Sequence, residues 1–252
     1  MKTVLITGCS SGFGLETARH FLAQGWRVVA TMRTPRAARA DLLPPSERLR
    51  VLALDVTDAA SIREAVAAAG PIDVLVNNAG FGAMSIFEAL PMDSARALFE
   101  TNTLGTMAVT QAVLPQMRER RAGVIVNVTS IVTSRPLPLL SVYAASKAAV
   151  EMFSASLALE LAPFDVQVKL VQPGSSPTTQ FGANARERAA GGFPAPYADF
   201  VQGVFDARKQ STAALTEAQD VAQAVWRAAT DPAAPLRIPA GADAVAMAAA
   251  AV

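Results

Sequence analysis

Thr3-Val4-Leu5-Ile6-Thr7-Gly8-Cys9-Ser10-Ser11-Gly12-Phe13-Gly14 is the stretch from which the fold is read. A short β-branched run leads into three glycines, and a helix is predicted from about residue 14 onward. Glycines at this point permit a tight turn and a close approach of backbone to phosphate, with helix N–H groups facing a pyrophosphate. The competing reading is a turn that only needs positive φ at Gly8 or Gly12. Placement after an N-terminal strand and before a helix favours a dinucleotide site, with Gly8, Ser10, Ser11, Gly12, Phe13 and Gly14 as candidate cofactor contacts.

Outward from this turn the same alternation repeats. Strand runs are predicted at Thr3–Thr7, Arg27–Thr31, Arg50–Leu54, Asp73–Val76, Val124–Val128 and Val166–Val171. Helices are predicted over 14–24, 58–69, 92–119 in two parts, 141–162 and 216–229. Strands separated by helices imply parallel crossovers, and runs almost continuous in Val, Ile and Leu imply cover on both faces. The fold class is therefore α/β: a doubly wound, Rossmann-like parallel sheet with helices on both faces, in a single domain over 1–252. Pro173-Gly174 ends the sixth strand. Periodicity is then lost to about Gln210, and the aromatic-rich stretch over about 175–210 is expected to be a substrate-lid insertion. The Ala-rich tail from Ala242 is either a short packed segment or an oligomer contact.

Bulk composition excludes several functions. Lys and Arg total 22 against 21 Asp and Glu, so no broad positive field exists for nucleic acid or an anionic membrane. No apolar run reaches the length of a membrane span and no signal-peptide core precedes Gly8, so a cytoplasmic protein is expected. Cys9 is the single cysteine and His20 the single histidine, which removes a disulfide framework and a multi-cysteine metal site; no metal is expected. His20 itself is expected on a helix surface.

Tyr143-Ala-Ala-Ser-Lys147 stacks a phenol and an ammonium four residues apart on one helical face. A cation beside a phenol stabilises the phenolate, lowers its pKa and makes proton traffic to a carbonyl or from an alcohol feasible. The alternative for such a pair is a ring on the core and a solvated amine. At the end of the second strand the chain reads Thr31-Met32-Arg33, with no carboxylate to bind ribose hydroxyls. Arg33 instead suits a 2′-phosphate, so NADP(H) is preferred and NAD(H) stays possible. The competing reading places Arg33 on a solvated basic face with Arg36 and Arg39.

The spacing Gly-x-x-x-Gly-x-Gly resembles the fingerprint of the short-chain dehydrogenase/reductase family in its compact, single-domain form, and further motifs follow in register. Asn77-Asn78-Ala79-Gly80 follows the fourth strand, Thr101-Asn102-Thr103 lies in the next helical region, and Asn127-Val128-Thr129-Ser130 ends the fifth strand. Ser130 precedes Tyr143 by the family interval, and Pro173-Gly174 closes the sixth strand. The resemblance implies that Asn78, Ala79 and Gly80 steady the sheet and lie along the cofactor. It likewise places Ser11 at a phosphate, Asp55 and Val56 at the adenine, and Pro173, Gly174 and Thr178 on the nicotinamide side. It makes Tyr143 the general acid or base, Lys147 the group that tunes it and reaches the ribose, Ser130 the donor to substrate oxygen, and Asn102 the holder of Lys147 through water. A helix cap is the alternative use of Asp55, a capped or turn-forming serine that of Ser130, and an asparagine satisfying helix backbone that of Asn102.

Val132, Leu137, Pro138, Leu139, Leu140 and Phe81 surround the space between Ser130 and Tyr143, which suggests a medium-sized apolar ketone, aldehyde or secondary alcohol; the alternative is that these side chains are plain core or lid packing. Two other functions compete with a reductase. A nucleotide-sugar epimerase or dehydratase needs a larger C-terminal domain than the residues after Pro173 provide, and a noncatalytic NADP(H)-sensing protein is expected to have lost part of the Asn-Ser-Tyr-Lys set. The Ala-rich helices near 105–117 and 144–162 suit close packing, either on their own sheet or, as the resemblance implies, between subunits of a homodimer or homotetramer.

Overall fold

Alternate residues of each strand bury into opposite layers, because successive side chains on a strand point to opposite faces. Val4 and Ile6 pack on one side with Val28, Ala30, Val74, Val76 and Val126. Leu5, Val29, Leu75 and Ile125 pack on the other. The computed structural model describes residues 1–35, 43–176, 192–210 and 214–250. In it, β1 (Thr3–Ile6), β2 (Arg27–Met32), β3 (Leu49–Ala53), β4 (Val74–Asn77), β5 (Gly123–Val128), β6 (Val166–Pro173) and β7 (Arg237–Ala240) form one sheet. Its order is β3-β2-β1-β4-β5-β6-β7 and every described pairing is parallel. The sheet is Rossmann-like and the domain single, as the alternating runs predict.

Helices α1 (Gly12–Ala23), α2 (Ala59–Ala69), α3 (Met92–Phe99), α4 (Gly105–Arg120), α5 (Ser141–Leu161), α6 (Ala198–Gln210), α7 (Ala218–Thr230) and α8 (Ala242–Ala249) cover the sheet and its upper end. On the first face, α1 and α7 meet through Phe21, Trp26 and Trp226, whose rings stand edge to face with centroids 5.0–5.6 Å apart. Such pairs each add about 0.5–1.5 kcal/mol beyond area burial. His20 belongs to this cluster: its ring lies 5.6 Å from that of Trp226, half-buried rather than on the helix surface as expected.

Three departures from the predicted elements have physical reasons. The seventh strand was hidden because Arg237-Ile238-Pro239-Ala240 is four residues long and contains a proline, which only an edge strand tolerates. β6 continues through Pro173, which pairs with Ala240 of that edge. The stretch predicted to be irregular contains α6, whose Val201, Val204 and Phe205 at i, i+3 and i+4 turn toward an apolar cluster. The Ala-rich tail forms α8, with Ala244 buried, so it packs on its own domain. The run predicted over 92–119 is divided by a π-helical turn at Glu100–Leu104. Among the described residues no helix is long and apolar enough to cross a membrane, and no group of three or more His, Cys, Asp or Glu side chains is placed to hold a metal.

Candidate active site

The glycine turn is locked to the exit of β4 by backbone and small polar groups. Thr7 Oγ1 accepts from the backbone N–H groups of Asn78 and Ala79, each at 3.0 Å. Asn78 Nδ2 donates to Thr7 O at 2.9 Å and to Gly8 O at 3.2 Å. Gly8 has φ +74° and Gly12 has φ +56°, a region that L side chains rarely adopt. At Gly14 a Cβ would fall 2.4 Å from Gly8 O and 2.5 Å from Asn78 Nδ2. Ser11, at the N-terminus of α1, makes no side-chain cap to the first turn of the helix.

From this turn a cleft of about 310 Å³ crosses the carboxyl ends of the strands. Gly8, Ser10, Ser11, Gly12 and Phe13 line its floor, and Arg33, Asp55 and Val56 line one end. Asn78, Ala79 and Gly80 lie along it, and Tyr143 and Lys147 stand at the other end. Met32, Leu54, Thr57 and Thr101 also line it, and the sequence reading did not single them out. Gly14, Asn102, Ser130, Pro173 and Gly174 are not among the residues that line it, and Thr178 lies outside the described residues.

At the Arg33 end, Asp55 Oδ1 accepts from the backbone N–H of Thr57 at 2.9 Å and from its hydroxyl at 2.7 Å. The Thr57 backbone bond, with the hydroxyl bond and nearby Arg33, holds the Asp55 carboxyl below its ordinary pKa against the opposing effect of burial. The cap of α2 is Asp58, which accepts from Ala60 N at 2.7 Å and Ser61 N at 3.3 Å. The alternative use of Asp55 as that cap is therefore excluded.

The other end is built from buried side chains. Lys147 Nζ donates to Val128 O at 2.9 Å, and burial pushes its pKa down to about 8. Tyr143 is 5% exposed; burial pushes its phenol up to about 12, opposed by a hydrogen bond with the Ser130 side chain. This corrects the expected lowering of the phenol pKa by Lys147. The ammonium is engaged by a strand carbonyl, and the group that pulls the phenol downward is Ser130.

Asn102, in the π-helical turn, accepts from Phe81 N at 3.0 Å through Oδ1 and donates to Phe81 O at 2.9 Å through Nδ2. A π-turn displaces one residue from the helical register, and such turns cluster at functional sites. Gly80 separates Asn102 from Lys147: a Cβ there would sit 3.0 Å from Asn102 Oδ1 and 3.4 Å from Lys147 Nζ. Ser146, missed in the sequence, ties Asn102 to α5, since its Oγ accepts from Asn102 Nδ2 at 3.1 Å and donates to Tyr143 O at 2.7 Å.

Phe81, Val132, Leu137, Leu139 and Leu140 join Met84 and the inner face of α6 in one apolar cluster that contains the Tyr143 ring. Leu139 is buried with φ +66°, and its carbonyl accepts from Ser85 N at 2.9 Å. The turn before α6 is tied down where Tyr197 donates to Glu88 Oε2 at 2.7 Å. On the opposite rim, Gly174 N donates to Ala240 O at 3.2 Å and Thr216 Oγ1 at 3.1 Å, while Ser175 N donates to Asp243 Oδ2 at 2.6 Å.

Comparison with known proteins supplies independent findings. A family model described as short chain dehydrogenase matches residues 2–190. An uncharacterized oxidoreductase of Bacillus subtilis is 44% identical over 186 residues, covering 71% of this chain and 66% of that protein, just under two thirds of its length. Human retinol dehydrogenase 8 is 36% identical over 251 residues, covering 94% of this chain and 80% of that protein. A short-chain dehydrogenase from Streptomyces avermitilis superposes with TM-score 0.85 at 35% identity, covering 99% and 91% of the two chains. A serine dehydrogenase complexed with NADP+ gives TM-score 0.79 at 32% identity, covering 95% and 94%. A 3-ketoacyl-(acyl-carrier-protein) reductase from Brucella melitensis complexed with NADH gives TM-score 0.78 at 26% identity, covering 96% and 97%.

Proposed function

We propose that this chain, which belongs to the short-chain dehydrogenase/reductase family, transfers a hydride between NADP(H) and the carbonyl or secondary alcohol of a medium-sized, largely apolar substrate. Membership makes it an oxidoreductase that uses a nicotinamide dinucleotide. The observation that carries the finer reading is that Tyr143 and Lys147 line the same cleft as the glycine turn, with the Tyr143 phenol hydrogen-bonded to the Ser130 side chain.

The residues present fit the cofactor. Gly8, Gly12 and Gly14 leave a cradle that side chains would fill or strain, and the N-terminus of α1, which Ser11 does not cap, suits a pyrophosphate. Ser10, Ser11 and Phe13 would complete that cradle, with Asp55 and Val56 toward the adenine and Asn78, Ala79 and Gly80 along the middle. Arg33 at the end of β2, with no carboxylate beside it on that strand, supports NADP(H) over NAD(H). When bound, the nicotinamide supplies or takes up the hydride.

The chain's own groups handle the proton. A buried phenol with a pKa of about 12 is protonated at neutral pH, the form that donates to a carbonyl oxygen during reduction. Tyr143 is that donor, and it takes the proton back during alcohol oxidation. Ser130 stabilises the oxygen as charge grows on it. Lys147 would hold a positive charge beside the cofactor ribose, and Asn102 fixes the Phe81 backbone and Ser146. Pro173, Gly174 and Thr178 are proposed on the nicotinamide side from the family pattern alone. The apolar cluster around Tyr143 favours an apolar substrate. Through the face of α4 and α5, a homodimer or homotetramer is proposed.

A carbonyl and alcohol panel, followed by nicotinamide absorbance with both cofactors, tests this reading. Apolar ketones or aldehydes with NADPH are expected to give the highest kcat/KM. Preference for charged sugars, amino acids or hydroxy acids rejects the substrate class, and equal use of NADH rejects the Arg33 assignment.

A further inference from the structure

The face of α5 that carries Tyr143 and Lys147 continues for another turn to Glu151, four residues on and 8% exposed. Its carboxylate gathers donors from three separate places in the fold. Oε1 lies 3.2 Å from Thr129 Oγ1, 2.5 Å from Thr133 Oγ1 and 2.7 Å from Gln172 Nε2, and Oε2 accepts from Arg237 Nε at 3.1 Å. A buried carboxylate is costly unless paired and hydrogen-bonded, and this one is supplied on both oxygens. Two of the donors flank Ser130. Thr129 precedes it, and Thr133 closes the short helical turn after it, with its hydroxyl also 2.8 Å from Ser130 O. Gln172 reaches in from the end of β6 and is 3.3 Å from Thr133 Oγ1.

We propose that Glu151 is a positioning residue for the reaction. It clamps the segment 129–133 from below, so that the Ser130 hydroxyl is held on Tyr143 rather than turned away with its loop. Arg237 of the edge strand neutralises the clamp, linking the C-terminal strand to catalysis without touching the cleft. This inference rests on the reductase reading above, but it makes a separate claim about what holds Ser130.

A double-mutant cycle between Ser130→Ala and Glu151→Ala separates positioning from general stability. Glu151→Ala alone is expected to lower kcat by about 10–100-fold, a part of the loss seen when an oxyanion donor is removed. NADPH affinity should change less than about twofold, and in the Ser130→Ala background the same substitution should cost less than about threefold, because the group it positions is gone. Glu151→Gln, which keeps an oxygen for Thr129 and Thr133, should recover most of the rate. A loss that multiplies in full with Ser130→Ala, or that follows cofactor affinity, overturns the proposal.

The chain contains two tyrosines, Tyr143 and Tyr197, which permits a reading without turnover. In protein labelled with ¹³C at the tyrosine Cζ, Tyr197→Phe assigns the Tyr143 resonance. Ser130→Ala should move that resonance, and Glu151→Ala should move it in the same direction. A resonance that responds to Ser130→Ala but not to Glu151→Ala overturns the positioning role while leaving the reductase reading intact. Absence of turnover on every substrate defeats that reading alone. If Glu151→Ala does not fold, Thr133→Val replaces it in both experiments with the same expected directions and overturning results.

Discussion

The two ends of the cleft are held by different physics. At the glycine turn the contacts are backbone amides, one threonine hydroxyl and one asparagine amide, packed so closely that a single added methyl would strike Gly8 O at 2.4 Å. At the Tyr143 end the contacts are long ionisable side chains withdrawn from water, with Tyr143 pushed up to about 12 and Lys147 down to about 8. A rigid backbone cradle recognises a shape. Buried titratable groups hold protons in a chosen state. Binding should therefore be controlled at one end and turnover at the other.

Apart from Tyr143 itself, the largest effect should come from Lys147→Met, which is expected to lower kcat by about 10²–10⁴-fold, the range for a proton-transfer apparatus. In the wild-type protein, kcat/KM for carbonyl reduction should fall as pH rises through about 8, because the Lys147 ammonium is lost there. A flat profile from pH 7 to pH 9 would break the link between that charge and catalysis.

Gly14→Ala should do the opposite. Its Cβ would overlap Gly8 O and Asn78 Nδ2, so NADPH affinity should drop, and overpacking of this kind destabilises by about 1–3 kcal/mol. Fluorescence titration and thermal melting check both parts, and a fall in kcat at saturating NADPH with unchanged Kd would reverse the division between the ends. Arg33→Asp is expected to shift the NADPH/NADH ratio of kcat/KM by about 10–100-fold, the worth of a charge-assisted hydrogen bond. A ratio that does not move returns Arg33 to the solvated surface.

Smallest is a stability effect away from the cleft. Burial lowers the His20 pKa below its ordinary 6.5, and its Nε2 has no hydrogen-bond partner. The unfolded chain therefore binds the proton more readily, so stability is complete above about 6.5 and declines as pH falls through that value toward the lower folded pKa. His20→Phe should lessen the drop in Tm between pH 7.5 and pH 5.5, and an unchanged drop would assign it to other groups.

Legibility in the sequence followed the range of the interactions. The glycine turn, the Ser130-to-Tyr143 interval and the Tyr143–Lys147 face are local patterns; most of the turn, Tyr143 and Lys147 line one cleft, and Ser130 is hydrogen-bonded to Tyr143. Ser146 and Glu151 were invisible because the partners that give them a role are distant in sequence: Asn102 lies 44 residues from Ser146, and Gln172 and Arg237 lie 21 and 86 residues from Glu151. β7 was missed because Pro239 disguises an edge strand, and α6 because its three inward residues lie in a segment rich in turn formers. The sign of the Tyr143 shift was misread for a related reason. Spacing places an amine beside a phenol, but only the fold shows that Val128 O takes the ammonium and that burial governs the ring.

The most direct test is a comparison of wild type with Tyr143→Phe, measuring NADPH Kd by fluorescence and single-turnover reduction of the best panel carbonyl. The account requires Kd within about twofold and a rate lower by about 10³-fold or more, since the variant keeps the ring and loses the proton. A rate close to wild type with the cofactor bound normally would show that the proton comes from elsewhere, and would contradict it.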